Sequence, residues 1–336
     1  MSNRKNVSGT NSENLRPAPS NDDEGTLPFR ADAWNELEKA GKAFDYENRN
    51  WKNRTRILFC TESEAASFFR TPAEGSRFEL GRLGGLVSAL PNQRRGKTLQ
   101  HLWVRETEEP GTALRVLVHE AIHAASFALA ARRIPLDLRD ETAGNCVGFF
   151  VEDILTQALP FFERKLGIRG ADLPRRGTRK DRLAVRGGKG ATLKTMKKLG
   201  VAFEHEDTTW HAWVMAAVCN ADDAPPLFAN IVESDAKYMD EDTGRVWFAE
   251  TSSQTLVWAD GSRGARAAYA SLVHGAIHAA GRALAGCGVD VDLAKTGSSE
   301  CVAYFVERFF ENIWPWFLSR FAATLRVPGP AAAAAG

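Results

Sequence analysis

Short apolar runs of strand length occur in the same order in the two halves of the chain. In the first half they lie at residues 56–60, 86–90 and 99–104, and in the second half at residues 212–219, 246–250 and 255–258. Polar or glycine-containing stretches separate the runs, as is typical of strands joined by turns. The pattern therefore predicts a small, mainly antiparallel sheet of about three strands in each half.

Two helices follow the predicted strands in each half. In the first half, apolar residues recur at helical spacing in a helix that we expect to begin near Thr112, which caps it, and to end at Pro135. A second helix is expected from residue 141 or 145 to residue 155, with one buried apolar stripe. The second half repeats both helices.

The two halves are copies of one unit. Residues 117–162 align without a gap on residues 272–317, with 20 identities in 46 positions. The identical pairs include His119/His274, His123/His278, Asp137/Asp292, Cys146/Cys301, Glu152/Glu307 and Pro160/Pro315. A repeat of this kind indicates a duplicated structural unit. The sequence therefore predicts an α+β protein of two tandem units, each a small sheet followed by a histidine-bearing helix and a second packed helix.

Composition sets the boundaries of these units. Residues 1–26 are polar and predict a disordered arm, and residues 328–336 predict a frayed tail. The units at 27–167 and 200–327 enclose a segment, 168–199, that is rich in glycine, lysine and arginine. We expect this segment to be a flexible linker, with contact to nucleic acid or an acidic partner as the alternative.

Composition and charge exclude several classes of protein. The formal net charge of the 336 residues is +1, so the whole chain has no charge excess that would favour a polyanion. No apolar stretch approaches the roughly 18 residues of a membrane span, and the N-terminus lacks a secretory apolar region. Five cysteines form no close pair. We expect a cytoplasmic protein with reduced thiols and no membrane contact, and no feature assigns an oligomeric state.

The strongest chemical motif is His119-Glu120-Ala-Ile-His123, which has the H-E-x-x-H spacing. Residues four apart lie on one face of a helix, so both imidazoles can reach the same metal ion. We expect Zn²⁺, which binds imidazole nitrogen and acidifies a bound water. Glu120 is then placed to act as the general base toward that water.

The second copy repeats the histidines but not the glutamate. His274 and His278 are expected to bind metal, and Glu300, at the start of the following helix, is the expected third ligand. Gly275 stands where the first copy has its base. This copy is therefore not expected to hydrolyse peptides.

In the first copy, two residues are candidates for the third ligand. Asn145 has the register position of Glu300, but an amide is a poorer zinc ligand than a carboxylate. Glu141 precedes it by one turn and could reach the ion, or could instead compensate the charge of the helix N-terminus. Asp137 and Asp292, in the loop between the helices, could orient a metal-binding histidine or could cap the loop.

These residues resemble the zincin metallopeptidases of the gluzincin type, in particular the minimal zinc-peptidase-like domains common in phage and plasmid genomes. The resemblance rests on His119-Glu-Ala-Ile-His123 and a downstream helix with an acidic ligand. It implies an antiparallel edge strand along a substrate cleft, for which residues 99–104 and 255–258 are candidates. Asn145 and Gly275 depart from the family pattern.

Two functions are consistent with these motifs. In the first, the chain is a zinc metallopeptidase: unit 1 hydrolyses a peptide or protein substrate with Glu120 as base, and unit 2 is a non-catalytic copy. In the second, both units are catalytically dead and form a binding or structural module. With either function, the basic segment 168–199 could add contact with nucleic acid. Glu120 favours the peptidase, because an inactive protein has no need of the base, whereas Asn145 and Gly275 favour the module.

Overall fold

The computed structural model describes residues 31–48, 50–69, 84–92, 97–168, 202–219, 244–248 and 254–321. Within these ranges the protein is mixed α+β, with six α-helices and two four-stranded sheets. The first half contains α1 (Ala31–Lys39), β1 (Ala43–Asn48), β2 (Asn53–Cys60), α2 (Glu62–Phe68), β3 (Gly85–Asn92), β4 (Lys97–Arg105), α3 (Pro110–Ala130) and α4 (Glu141–Leu166). The second half contains β5 (Ala202–Asp207), β6 (Ala212–Cys219), β7 (Gly244–Phe248), β8 (Gln254–Asp260), α5 (Ala265–Gly286) and α6 (Thr296–Phe321). The predicted arm at 1–26, the basic segment from residue 169 onward and the tail at 328–336 lie outside the described residues.

The two sheets have the same topology. Their strand orders are β1-β2-β4-β3 and β5-β6-β8-β7. In the first, β1 pairs antiparallel with β2, β2 pairs parallel with β4, and β3 pairs antiparallel with β4. The second sheet repeats these directions. Most pairings are therefore antiparallel, as predicted, and the repeat found in the helices extends to the strands.

The position of the edge strand differs from the sequence prediction. Residues 99–104 and 255–258 belong to β4 and β8, which are interior strands with a neighbour on each side. The edge strands beside them are β3 and β7. The apolar runs predicted these strands correctly, but the predicted position at the edge of the sheet is wrong. Strands that are strongly apolar, such as β4 and β8, usually lie covered inside a sheet.

Both faces of the first sheet are covered. On one face, β2 and β4 pack against α3 and α4 in the main core. On the other face, α1 and α2 form a smaller cluster in which Trp34 and Phe68 pack near Trp103. A capping box between Thr61 and Glu64 begins α2. Neither α1 nor α2 was predicted, because short helices with few apolar positions give weak periodicity.

The long helices differ from prediction mainly at their ends. The residue that caps α3 is Glu109, whose side chain accepts a hydrogen bond from the backbone N–H of Thr112. α4 continues through Pro160 to Leu166, well beyond the predicted end at residue 155. Proline in a helix interior costs about 3 kcal/mol. The buried apolar residues on both sides of Pro160 offset this cost, because they extend the stripe that faces the core.

α3 is also the one described helix that is long and apolar enough to cross a membrane. Of its most apolar window, 78% is buried inside the protein. A core helix of a soluble protein has this character. The expectation of a soluble chain is consistent with this burial.

The two copies pack together through their long helices. α3 of the first copy packs against α6 of the second, and α4 packs against α5. One continuous apolar core contains residues of both copies. The loops between the helices also meet: the Leu138 N–H donates to the Val291 carbonyl at 3.2 Å, and the Leu293 N–H donates to the Leu136 carbonyl at 3.0 Å. Each copy thus places its second helix against the histidine-bearing helix of the other.

Two glycines of α5 provide a test of this packing. A Cβ added at Gly281 would lie 2.7 Å from Cβ of Leu138 in the other copy, whereas a Cβ at Gly286 would meet nothing within 4 Å. We expect Gly281→Ala to lower the free energy of unfolding by about 1–3 kcal/mol through overpacking. Gly286→Ala should instead stabilise the helix by up to about 1 kcal/mol. Chemical denaturation measures both, and equal effects at the two sites would contradict the observed packing.

Candidate metal centre

The H-E-x-x-H histidines lie on one face of α3, as their spacing predicts. The Nε2 atoms of His119 and His123 are 3.1 Å apart. The carboxylate of Glu300, on α6 of the other copy, approaches both: its Oε2 lies 3.5 Å from Nε2 of His119, and its Oε1 lies 3.4 Å from Nε2 of His123. The ligand atoms of these three residues all lie within 4.8 Å of one another. This group could hold a metal ion.

The expected pairing of ligands within each copy is wrong. Glu300 was expected beside His274 and His278, but it lies with the histidines of the first copy. Asn145 instead contacts His274 and His278. The reason is that the second helix of each copy packs on the histidine-bearing helix of the other: α6 packs on α3, and α4 packs on α5. We call this arrangement the exchange of helices.

Glu141 is not brought to the candidate site either. It is exposed in the first turn of α4, where the helix cap is Asp140, whose side chain accepts a hydrogen bond from the Thr142 N–H. An acidic residue in a first helical turn compensates the partial positive charge of the helix N-terminus. This is the structural alternative that the sequence had left open for Glu141.

A second set of side chains orients the histidines. The Nδ1–H of His119 donates to Oε2 of Glu307 at 2.9 Å, and Nδ1 of His123 is hydrogen-bonded to the Ser299 hydroxyl at 2.8 Å. Both partners lie on α6. Metal-binding histidines commonly hydrogen-bond through the second ring nitrogen to a carboxylate or another polar group. These bonds leave both Nε2 atoms directed toward Glu300.

Asp137 and Asp292, the residues predicted to orient a histidine, act in the loops instead. Asp137 accepts hydrogen bonds from the backbone and side chain of Arg139, and Asp292 accepts one from the Ala294 N–H. The two residues also pair with each other in an isolated β-bridge. Loop capping, the alternative considered from the sequence, is therefore their structural role.

Glu120 is buried beside the group, with 7% of its surface exposed. The first residue of β3, Gly85, lies against it, because a Cβ at this position would approach Cγ and Oε1 of Glu120 to 2.7 Å. Burial raises the pKa of the Glu120 carboxyl to about 7, with His119 opposing the rise and the carboxylates of Glu300 and Glu307 adding to it. A carboxylate with a pKa near neutrality is well matched to proton transfer.

The electrostatics of the group favour a cation at the histidines. Burial disfavours a charged imidazole at His119, but its hydrogen bonds to Glu300 and Glu307 outweigh burial and raise its pKa to about 9. The pKa of Glu300 lies well below its usual range because of its hydrogen bonds to His119 and His123. The carboxylates of Glu300 and Glu307 thus stabilise positive charge at the histidines, and a metal ion would bring positive charge to the same place.

The second copy contains a similar cluster with different groups. Nε2 of His274 and Nε2 of His278 lie 3.4 and 3.2 Å from Oδ1 of Asn145. Nδ1 of His274 donates to Oε2 of Glu152 at 3.2 Å, which matches the bond between His119 and Glu307. Burial, together with His274, lowers the pKa of His278 to about 4. The two rings lie nearly parallel here, at 14° with their centroids 5.3 Å apart, whereas the rings of His119 and His123 are tilted by 62° at 4.9 Å. An amide, and no carboxylate, lies between the rings of the second cluster.

Four differences between the two clusters each remove a carboxylate or a hydroxyl group from the second. Taken in register, Glu120, Glu300, Ser299 and Tyr304 of the first cluster are replaced by Gly275, Asn145, Gly144 and Phe149 in the second. Gly275 belongs to the second copy and the other three replacements belong to the first. Because the helices are exchanged, all four replacements lie in the second cluster. The other cluster keeps every group.

The first cluster is open on the side of α6. The side chain of Glu300 is 43% exposed, whereas those of His119 and His123 are 10% and 12% exposed. Tyr304, one turn after Glu300, is also exposed and packs edge-on against the His119 ring, with the ring centroids 4.8 Å apart. A ligand from solvent can therefore approach past Glu300 and Tyr304.

Three residues around the first cluster were not predicted from the sequence: Glu307, Ser299 and Tyr304. A signal existed for one of them, because Glu307 is identical to Glu152 in the aligned repeat. Ser299 and Tyr304 differ between the copies and carried no such signal. Comparison of the chain with protein-family models, with curated proteins and with solved structures finds no match. The chemistry of the site is therefore inferred from the residues of this chain.

Proposed function

We propose that the chain is a zinc-dependent metallopeptidase of zincin type with one active site, to which both copies contribute. The observation that carries the proposal is the distribution of groups between the two clusters. His119, His123, Glu300 and Glu120 come together in one cluster, and the other has neither the carboxylate ligand nor the base. A purely structural pair of copies has no reason to keep all four in one place.

Two imidazole nitrogens and one carboxylate oxygen are a donor set that zinc accepts in catalytic sites, where water or substrate takes the fourth position. His119, His123 and Glu300 would hold the ion. When bound, zinc lowers the pKa of its water to about 7 and polarises a carbonyl. The hydrogen bonds from Glu307 and Ser299 keep the imidazoles in the ligating orientation.

Glu120 would serve as the general base. It follows His119 directly in the chain and is held in a buried position against Gly85. In this role it takes a proton from the attacking water and delivers it to the leaving amine. Burial excludes bulk water from the carboxylate.

β3 would position an extended substrate. It is an edge strand of the first sheet, and its first residue lies against Glu120. An extended peptide can add to an exposed edge through backbone hydrogen bonds, which bind it without regard to sequence. A peptide on this edge would have its backbone beside the base.

Hydrolysis of a complex peptide library by the purified chain tests this function. We expect new peptide termini by mass spectrometry, loss of activity with a zinc chelator, and recovery on addition of Zn²⁺. The His274→Ala variant should keep the activity and the His119→Ala variant should lose it. A chain that binds zinc at His119 and His123 but cleaves no peptide would instead favour the binding or structural module.

A further inference from the structure

In the second cluster, one side-chain oxygen lies within about 3.5 Å of two imidazole nitrogens. The Nε2 atoms of His274 and His278 lie 3.4 and 3.2 Å from Oδ1 of Asn145. Ligand atoms that share one tetrahedral ion at bond lengths of about 2.0–2.2 Å are about 3.3–3.5 Å apart. The corresponding distances from Glu300 in the first cluster are 3.5 and 3.4 Å. The distances from the oxygen ligand to the two imidazoles are thus similar in the two clusters, although the second has an amide in place of the carboxylate and its rings are nearly parallel.

The hydrogen bonds of the second cluster direct Nε2 of His274 toward Asn145. Oε1 of Glu152 accepts a hydrogen bond from the Ser271 hydroxyl, and Oε2 accepts from Nδ1 of His274. A carboxylate only accepts, so the proton of a neutral His274 is on Nδ1 and its Nε2 carries a lone pair. This lone pair faces the Oδ1 of Asn145, which also donates no proton. A metal ion between Nε2 and Oδ1 would accept both lone pairs, whereas without an ion a protonated ring or a turned amide would supply a hydrogen bond between the two side chains.

We propose that His274, His278 and Asn145 form a second metal site that is structural and binds its ion more weakly than the first. The donor set consists of two neutral imidazoles and a neutral amide oxygen. Imidazole donors select ions such as Zn²⁺, Ni²⁺ and Cu²⁺ over Mg²⁺ or Ca²⁺. The lower affinity follows because no ligand carries a negative charge to offset the charge of the ion.

The ion at this site would link the two copies. His274 and His278 lie on α5 of the second copy, and Asn145 lies on α4 of the first. Hydrolysis is not expected here, because Gly275 replaces the base and Phe149 replaces Tyr304. The Phe149 ring packs edge-on against His274, with the ring centroids 4.5 Å apart, and covers one side of the cluster. The site would therefore stabilise the contact between α4 and α5.

Titration of the metal-free full chain with Zn²⁺, with the heat of binding measured by isothermal titration calorimetry, tests the proposal. We expect two classes of site, one tight and one weak. His274→Ala should remove only the weak class, and His119→Ala should remove only the tight class. Because the two classes are lost separately, failure of the proposed active site and failure of this second site are distinguishable.

Asn145→Asp provides the decisive variant, because it changes the charge of the ligand with almost no change in size. It should tighten the weak class by about tenfold or more, since a carboxylate oxygen replaces an amide oxygen. Circular dichroism checks that the fold is kept. A single class of site in the unmodified chain, or no change in the weak class with Asn145→Asp, would overturn the proposal. The amide of Asn145 would then be turned to donate its Nδ2 protons to the imidazoles.

Discussion

Replacement of Glu120 by glutamine is expected to lower the rate of peptide hydrolysis by about 10²–10⁴-fold. The two side chains have the same shape, so the buried position beside Gly85 remains filled and His119 and His123 keep their places. An amide cannot take a proton from water at neutral pH, so only the base is lost. Zinc content should therefore stay unchanged while kcat falls.

Glu141→Gln is the matched control for this variant. Glu141 lies exposed in the first turn of α4 and is not part of the group formed by His119, His123 and Glu300. We expect full activity and full zinc content from it. Rates measured for both variants with one peptide substrate and equal zinc loading make the comparison. Activity in Glu120→Gln close to that of the unmodified chain would contradict the role of Glu120 as base.

Replacement of Glu300 by asparagine is expected to weaken zinc binding at His119 and His123 by more than about 100-fold. This is more than the loss of about 10–100-fold that follows when a residue that only hydrogen-bonds to a metal ligand is changed. The change removes the only carboxylate among the three ligands. It also gives the first cluster the residue that the second cluster has at this position. Hydrolysis should be lost together with the metal.

Asn145→Ala separates the two possible arrangements of ligands. If the second helix of each copy served its own histidines, Asn145→Ala would weaken the metal of His119 and His123, and Glu300→Asn would not. The exchange of helices predicts the reverse. Competition with a chromogenic zinc chelator, applied to both variants, measures the affinities, and thermal unfolding without metal checks that each remains folded.

The strands, the long helices and the duplication could be predicted because apolar periodicity and internal identity are local properties of the chain. β1 (Ala43–Asn48) and β5 (Ala202–Asp207) could not be predicted, because polar and charged residues interrupt their sequences and neither strand contains an apolar run. Their neighbours β2 and β6 supply the sheet interior that holds them in place.

The exchange of helices could not be read from the repeat alignment itself. In a duplicated chain, a contact within one copy and a contact between copies involve equivalent positions, so the register of Glu300 with Asn145 fits both arrangements. Which one forms depends on how the helices pack in the shared core, which is a tertiary property. The histidines were predicted correctly as a pair because both lie on α3.

One signal in the sequence did favour exchange. The first copy has lost the carboxylate ligand at Asn145, and the second has lost the base at Gly275. Ligands supplied within each copy would leave two incomplete sites. Ligands supplied by the other copy leave one complete site and one that lacks both groups. The presence of an aspartate at the same position in both copies, Asp137 and Asp292, suggested a role at the metal site, but these residues form the bridge between the two loops.

The most direct test is a crystal structure of the zinc-loaded protein with diffraction measured on both sides of the zinc absorption edge. We expect an anomalous peak bonded to Nε2 of His119, Nε2 of His123 and the carboxylate of Glu300, with Glu120 beside it. A peak held by His119 and His123 together with Glu141 or Asn145, or a zinc-loaded crystal with no peak at these histidines, would contradict a site assembled from both copies.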